Sequence, residues 1–313
     1  MLSGPQYIAA EHLEHALDVL GEYGEDASVL AGGQSLIPML NVGLLQPGVI
    51  VDIDRLSGLS RIDASDGRLY VGALARHHEV SRAGLVRADC PVLAEAASLI
   101  GHPQIRNRGT VGGSLAHADP VAELPALMLA LEAEIEARSR EGNRMIPAAQ
   151  FFISYFTTAL DKREILTQVC IPMFPAMTGM SFQELSIREG DFAIVGVCAV
   201  LTLDEVGTCL DARVALAGVD ATPVRAQKAE AIVRGSRLSD ELLEAAAAAA
   251  ADAVEPEDDI RASAAYRRRM TRVFVRRALA TAWARAQVPN ERPAIEGDGR
   301  PLRLQSSDHE FER

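Results

Sequence analysis

Two glycine-rich segments of similar composition place the strongest constraint on this chain. The first glycine segment, residues 31–35 (Ala-Gly-Gly-Gln-Ser), lies between a predicted strand and a helix predicted to begin at Leu36. The second glycine segment, residues 110–114 (Thr-Val-Gly-Gly-Ser), precedes another predicted helix. Backbone without Cβ atoms can approach an anion closely, and helix N-termini attract negative charge. One such segment is also typical of an ordinary turn, but two can hold a diphosphate from two sides.

Neither segment matches the common nucleotide-binding motifs. The chain has no GxGxxG followed by an acidic residue near a second strand, and no GxxxxGK[ST]. Because these spacings are what the Rossmann and P-loop sites require, both sites are disfavoured. A diphosphate cofactor on a different scaffold remains.

Histidine and acidic residues near the second segment raise the question of a metal or a proton-transfer site. His117 and Asp119 are two residues apart, so they share a side only in extended backbone, and the HExxH zinc motif is absent. His77 and His78 are neighbours and diverge in most conformations. We therefore expect no metal site, and a structural or hydrogen-bonding role for His117 and Asp119.

The chain shows no machinery for breaking bonds on its own. No GxSxG nucleophile elbow occurs, and no lysine or tyrosine has an evident activating partner. The cysteines are scattered without a CxxC pair, which predicts buried free thiols and no iron–sulfur cluster on this chain; they are Cys90, Cys170, Cys198 and Cys209. Redox chemistry supplied by a bound cofactor is the remaining interpretation.

Charge and hydropathy exclude two classes of partner. The net charge of −12 is opposite to the basic field that nucleic-acid binders present to phosphates. No apolar run is long enough to span a bilayer, and the N-terminus lacks the basic start and apolar core of a signal peptide. A cytoplasmic protein without a membrane span is expected.

Periodicity predicts two α/β units followed by a sheet-and-helix unit. The expected divisions are residues 1–55, 56–175 and 176–287, with a polar tail over 288–313. Predicted strands cover residues 28–31, 49–53, 68–73, 133–137 and 165–171, and three antiparallel strands cover 181–187, 193–203 and 209–216. Predicted helices cover residues 13–20 (ended by Gly21 and Gly24), 36–45, 92–100, 121–131, 222–235 (Thr222 as N-cap and Pro223 at N1), 239–253 and 262–287.

The last predicted helix is locally basic. One face carries the apolar residues Tyr266, Met270, Val273 and Phe274. The basic residues are Arg267, Arg268, Arg269, Arg272, Arg276 and Arg277. A solvated face of an amphipathic helix explains them most simply, and a surface for a partner subunit is the alternative.

Four stretches together resemble one known family. They are AGGQSLIPML at 31–40, GTVGGSLAHADPVAELP at 109–125, REGDFA at 188–193 and DIRASAAYRRRM at 259–270. They are similar to the FAD-binding medium subunits of molybdenum hydroxylases, such as carbon monoxide dehydrogenase, and to the matching domain of xanthine dehydrogenase. The resemblance covers residues 1–287. It implies an α+β fold: an FAD-binding region of the vanillyl-alcohol-oxidase (PCMH) type made of two α/β subdomains, and a C-terminal subdomain of a three-stranded antiparallel sheet and helices.

The resemblance also implies a non-covalent FAD site and its residues. The two glycine segments would hold the diphosphate, Glu123 the sugar-like portion of the flavin, and Phe192 would cover one ring face. Ile100 would pack near the flavin, and Gln34 replaces a histidine that many relatives have. The implied cofactor-binding residues are Ala31, Gly32, Gly33, Gln34, Ser35, Leu36, Ile100, Thr110, Val111, Gly112, Gly113, Ser114, Ala118, Asp119, Glu123 and Phe192.

For function, the resemblance implies a division of labour between three subunits. A molybdenum large subunit would oxidise the substrate, and an iron–sulfur small subunit with two [2Fe–2S] clusters would pass the electrons to the FAD of this chain. The FAD would hand them to an external acceptor, and two three-subunit units would form a dimer. The alternatives are a self-contained flavin dehydrogenase or oxidase of the same fold, and a nucleotide-binding module without redox turnover.

Overall fold

The computed structural model describes residues 4–288, so the predicted tail lies outside the described residues from position 289 onward. The first unit is a three-stranded parallel sheet in the order β1-β3-β2. Its elements are β1 (Gln6–Ala9), α1 (Leu13–Tyr23), β2 (Ala27–Leu30), α2 (Leu36–Asn41) and β3 (Val49–Asp52). Strands that run parallel need crossover connections, which α1 and α2 provide.

Both helices of the first unit differ in length from their predictions. Helix α1 continues through Gly21 and ends only at Gly24, whose φ of 51° takes it out of the helical region. Helix α2 stops at Asn41 instead of 45, because the chain turns at Gly43 with a φ of 70°. The early turn brings Met39 and Leu45 to the same cleft.

The second unit contains a five-stranded antiparallel sheet in the order β4-β5-β10-β6-β7. Its strands are β4 (Ile62–Ser65), β5 (Arg68–Gly72), β6 (Glu134–Ser139), β7 (Gly142–Pro147) and β10 (Ile165–Pro172), with the hairpin β8 (Phe152–Ser154) and β9 (Thr157–Thr158) beside them. Its helices are α3 (His77–Val80), α4 (Gly84–Asp89), α5 (Pro91–Leu99), α6 (Pro103–Arg106), α7 (Val111–His117), α8 (Glu123–Ala130) and α9 (Ala148–Phe151). Every residue of α8 is buried, so this helix lies in the core.

The third unit is a four-stranded antiparallel sheet covered by helices. Its elements are β11 (Thr178–Leu185), β12 (Val195–Leu203), β13 (Cys209–Ala217), β14 (Val224–Arg225), α10 (Gln227–Val233), α11 (Asp240–Asp252) and α12 (Ala264–Ala286). The prediction of three strands was one short, and the helix start at Thr222 and Pro223 was wrong. Val224 and Arg225 pair with Leu216 and Ala215 of β13, so the chain is extended there and the helix begins only at Gln227.

Helix α12 separates its arginines by role. Arg267 is 3% exposed, so its prediction as part of a solvated face was wrong. Its guanidinium donates to the carbonyl oxygens of Ile194 (2.5 Å) and Gly218 (2.8 Å) and to Asp259 (2.7 Å). Further along, Arg272 and Arg276 are paired with acidic residues of α11, namely Glu244 and Asp240. The buried arginine thus fastens the helix to the sheet.

All four cysteines lie in the interior of the structure. Cys90, Cys170, Cys198 and Cys209 are free and buried, as predicted. Burial raises the pKa of the Cys90 thiol to about 12, which leaves it protonated. No helix between residues 4 and 288 combines the length and hydropathy that crossing a bilayer requires.

Candidate functional site

A cleft of about 430 Å³ lies where all three units meet. The first unit contributes the first glycine segment, the second unit contributes the second glycine segment and Glu123, and the third contributes Phe192. Of the residues implied by the family resemblance, those that line the cleft are Ala31, Gly32, Gly33, Gln34, Ser35, Leu36, Ile100, Thr110, Gly112, Gly113, Ser114, Asp119, Glu123 and Phe192. Segments far apart in sequence therefore form one site.

The first glycine segment presents free backbone donors to this cleft. Gly33 has a φ of 74°, a left-handed conformation that turns the chain sharply after β2. Among the described residues, the N–H groups of Gly33, Gln34 and Ser35 have no hydrogen-bond acceptor. The Gln34 amide is held back by donating to the Gly32 carbonyl at 3.2 Å. Free N–H groups in sequence are what an anionic oxygen needs.

The second glycine segment is the start of a helix instead of a loop. The Thr110 hydroxyl caps α7 by accepting from the Gly113 N–H at 3.1 Å. Gly112 packs so closely on Ala73 that an added Cβ would lie 2.5 Å from the Ala73 Cβ. The N–H groups of residues 111–114 all have acceptors within the protein, so the free backbone donors of the cleft come from the first glycine segment. Helix α7 has seven residues and α2 has six, so neither has a long helix dipole.

The first glycine segment packs against the backbone just before the second one. An added Cβ on Gly32 would lie 2.1 Å from the carbonyl oxygen of Arg108, and one on Gly113 would lie 4.0 Å from the Ala31 Cβ. Side chains tie this junction together: Arg76 donates to the same Arg108 carbonyl and to Asp54, and Asp54 also pairs with the Arg108 guanidinium at 3.3 Å. The two glycine segments, called the cradle below, are therefore held in place by side chains from both units.

Glu123 is a buried carboxyl at the wall of the cleft. It is the first residue of α8 and is 5% exposed. Burial raises its pKa to about 8, with smaller contributions from Glu184 and Asp119, and its own backbone N–H opposes the shift. At neutral pH it is mainly the uncharged acid, which can both donate and accept a hydrogen bond.

His117 and Asp119 line the cleft and also make contacts within the fold. Asp119 accepts from the Val121 N–H at 3.1 Å and so shapes the turn into α8. The His117 ring packs against Phe156, with 5.1 Å between centroids. No group of three or more His, Cys, Asp or Glu residues between positions 4 and 288 is arranged to hold a metal ion.

Aromatic and apolar residues form the rest of the cleft. Phe192 is 49% exposed, and the Arg261 guanidinium lies 5.0 Å from its ring centroid. Ile53, Leu74 and Ile165 contribute aliphatic wall. A site with apolar walls and a backbone N–H cradle suits a ligand that combines a flat ring with a diphosphate, so the residues present fit a flavin dinucleotide.

Comparison with known proteins decides the family. The model for the FAD-binding domain in molybdopterin dehydrogenase matches residues 3–174, and the model for the carbon monoxide dehydrogenase flavoprotein C-terminal domain matches residues 180–282. This chain belongs to the FAD-binding subunits of molybdenum-dependent dehydrogenases. The α+β fold described above matches the fold of carbon monoxide dehydrogenase medium subunits.

Individual flavoprotein subunits match over nearly their full length. The α subunit of the 6-hydroxypseudooxynicotine dehydrogenase complex of Paenarthrobacter nicotinovorans is 44% identical over 91% of this chain and 96% of its own. The carbon monoxide dehydrogenase medium chain of Hydrogenophaga pseudoflava is 37% identical over 90% of this chain and 97% of its own. A solved structure of carbon monoxide dehydrogenase from the same organism, lacking the Mo-pyranopterin moiety of the cofactor, superposes with a TM-score of 0.88 at 38% identity. That match covers 91% of this chain and 99% of the other.

Two residues implied by the family resemblance do not line the cleft of this flavoprotein. The Val111 side chain is buried in the core of the second unit, because the first residue of α7 faces the sheet. Ala118 ends α7 in a left-handed conformation with a φ of 50°, and its carbonyl accepts from the Phe156 N–H. Both residues are buried and lie outside the cleft lining.

Sequence reasoning missed cleft residues that come from elsewhere in the fold. They include Ile53, Leu74, His77, Leu160, Glu164, Ile165 and Leu166. Their apolar periodicity indicates burial, but it does not say which end of a strand faces a ligand. His77 carried a stronger signal, because it follows the apolar run at residues 73–75, and a histidine is less often fully buried than the aliphatic residues around it.

Proposed function

We propose that this chain is the electron-transferring flavin subunit of a molybdenum hydroxylase. It takes electrons from the [2Fe–2S] clusters of a partner subunit and passes them to an external acceptor. The observation that carries the proposal is the meeting of the two glycine segments in one cleft, with the Gly33, Gln34 and Ser35 N–H groups unpaired among the described residues. Membership of the family supports FAD as the occupant.

In this proposal the chain holds the cofactor non-covalently. The first glycine segment and Ser114 bind the diphosphate, and Glu123 hydrogen-bonds the sugar-like portion as an uncharged acid. Phe192 covers one face of the flavin ring, and Ile100 packs beside it. When bound, FAD supplies redox chemistry that accepts two electrons and releases them singly or together.

The partners follow from what this chain lacks and from how its relatives are named. Its four cysteines are buried and scattered through the fold, so none is placed to ligate a cluster with its neighbours. Relatives are named as a medium chain or as a subunit of a complex. We assign two [2Fe–2S] clusters to an iron–sulfur small subunit and the molybdenum cofactor to a large subunit, in a dimer of heterotrimers.

Purification of the natural complex through an affinity tag on this chain tests the proposal. We expect flavin absorption bands between about 350 and 450 nm, and co-purification of one iron–sulfur and one molybdenum protein. A flavin-free complex would refute FAD binding. A flavin-containing chain that purifies alone and oxidises its own substrate would instead establish the self-contained flavin enzyme.

A further inference from the structure

His77 is a buried polar residue for which the roles described so far give no explanation. It is the first residue of α3, is 3% exposed and lines the cleft. Its backbone N–H donates to the Gly109 carbonyl at 3.2 Å, which places the residue directly behind the second glycine segment. Its neighbour His78 is half-buried and is not part of the cleft lining.

The His77 imidazole has no hydrogen-bond partner for either ring nitrogen within residues 4–288. Nδ1 is fully buried. The opposite edge of the ring faces Gly109: an added Cβ on Gly109 would lie 2.8 Å from Cδ2 and 3.1 Å from Nε2. Glycine at 109 therefore makes room for this edge of the imidazole beside the cradle.

Because the His77 ring is uncharged at neutral pH, only one of its two nitrogens carries a proton. Burial, with smaller contributions from the nearby Arg76 and Arg106, lowers the pKa of His77 to about 4. A proton on Nδ1 would be a buried donor without an acceptor, which is the costlier arrangement. The less costly tautomer therefore has its proton on Nε2, at the ring edge beside Gly109.

We propose that His77 is a cofactor-binding residue whose Nε2–H donates a hydrogen bond to an oxygen of the dinucleotide in the cleft. This inference rests on the proposed function, because it takes the occupant to be FAD. It adds a side-chain donor to the free backbone donors of the first glycine segment. It also explains why an imidazole without a protein partner is kept at this buried position.

Titration of FAD into the full chain prepared without flavin, followed by quenching of flavin fluorescence, tests the inference. We expect His77→Leu to weaken binding about threefold to tenfold, the effect of one hydrogen bond. His77→Gln, whose amide nitrogen takes a place similar to Nε2, should stay within about twofold of the unsubstituted chain. The matched control His78→Leu should bind FAD as the unsubstituted chain does. Equal affinity of His77→Leu and His78→Leu would overturn the inference.

Two further measurements separate a binding role from a structural one. The flavin-free His77→Leu chain should melt at the same temperature as the unsubstituted chain or higher, because an unpaired buried polar group has been removed. Nitrogen NMR of the unsubstituted chain should show the Nε2–H tautomer, with the Nε2 resonance shifting on addition of FAD. A proton on Nδ1, or no shift on binding, would overturn the inference even if the variants fail to fold. Failure of the unsubstituted chain to bind FAD would instead refute the proposed function, and this inference with it.

Discussion

The α-carbon of Gly32 faces the backbone carbonyl of Arg108 so closely that a β-carbon would lie 2.1 Å from its oxygen. Both partners are backbone, so neither can move aside without separating the two glycine segments. Arg76 and Asp54 hold the Arg108 side of this contact in place. A single contact between backbones thus sets the spacing of the proposed diphosphate cradle.

Gly32→Ala is expected to lower FAD affinity by at least about tenfold and the free energy of unfolding by about 1–3 kcal/mol, because overpacking forces the backbone to shift. Fluorescence titration and urea unfolding measure the two effects. The control is Gly21→Ala inside α1, where an added Cβ meets no atom within 4 Å. That change should stabilise the chain by about 0.5–1 kcal/mol. Unchanged FAD affinity in Gly32→Ala would show that the spacing of the segments is unimportant.

Gly113→Asp tests whether the cradle binds an anion. A carboxylate at this position would face the diphosphate in a partly buried site, and we expect FAD affinity to fall by roughly a hundredfold or more. Gly113→Asn adds nearly the same volume without charge and serves as the control for steric effects. Comparable losses in the two variants, measured by equilibrium dialysis, would contradict a charged ligand group at this position.

Glu123→Gln should change how stability depends on pH. Because the pKa of the folded state is raised to about 8, the native chain binds more protons than the unfolded chain above the ordinary carboxyl value of 4.5. The free energy of unfolding therefore falls as pH rises through this window. Burial also raises the pKa of Glu184, to about 7, so the interval from pH 7 to 8 isolates Glu123 best.

In that interval the flavin-free unsubstituted chain should lose up to about 1.4 kcal/mol per pH unit more than Glu123→Gln loses. Urea unfolding at several pH values provides the measurement. The exposed carboxyl Glu141, replaced by glutamine, is the control and should leave the pH profile unchanged. Parallel profiles for the unsubstituted chain and Glu123→Gln would mean that Glu123 titrates as an ordinary carboxyl.

Arg267→Met should destabilise the chain far more than Arg272→Met. Loss of the buried guanidinium leaves the Ile194 and Gly218 carbonyls without this donor, at a cost of about 3–5 kcal/mol. Arg272 pairs with Glu244 at the surface, where such pairs contribute about 0–1 kcal/mol. Thermal and urea unfolding should rank the variants in this order, and Arg267→Lys should recover little because it lacks the planar fork. Equal stabilities would contradict the fastening role of Arg267.

Long periodic elements could be predicted from the sequence, and elements fixed by distant partners could not. The helix predicted over 121–131 is present as α8, and the strand predicted over 165–171 is present as β10. In contrast, β14 has two residues and exists because it pairs with β13, which no local pattern reveals. Helix α2 ends early because Gly43 has a positive φ. The sequence shows that a glycine is present there, but it does not show which φ that glycine adopts.

The candidate site divides in the same way. Both glycine segments were predicted to converge, because their composition is local and unusual, and the structure brings them to the same cleft. The two lining residues from β10, Ile165 and Leu166, were not predicted as part of the site. Nor was His77, whose importance depends on Gly109, distant in sequence and adjacent in space. Such positions become visible only when the sheet order is known.

The central place of β10 sets an order of events during synthesis. This strand is the last of its sheet to leave the ribosome, yet it lies between β5 and β6 and pairs with both. Until residue 172 has emerged, β4-β5 and β6-β7 are two hairpins with no strand between them. Because β10 also supplies Ile165 and Leu166 to the cleft wall, a nascent chain has no complete pocket to fill. The cleft wall is therefore complete only after Phe192, beyond the second unit, has also been translated.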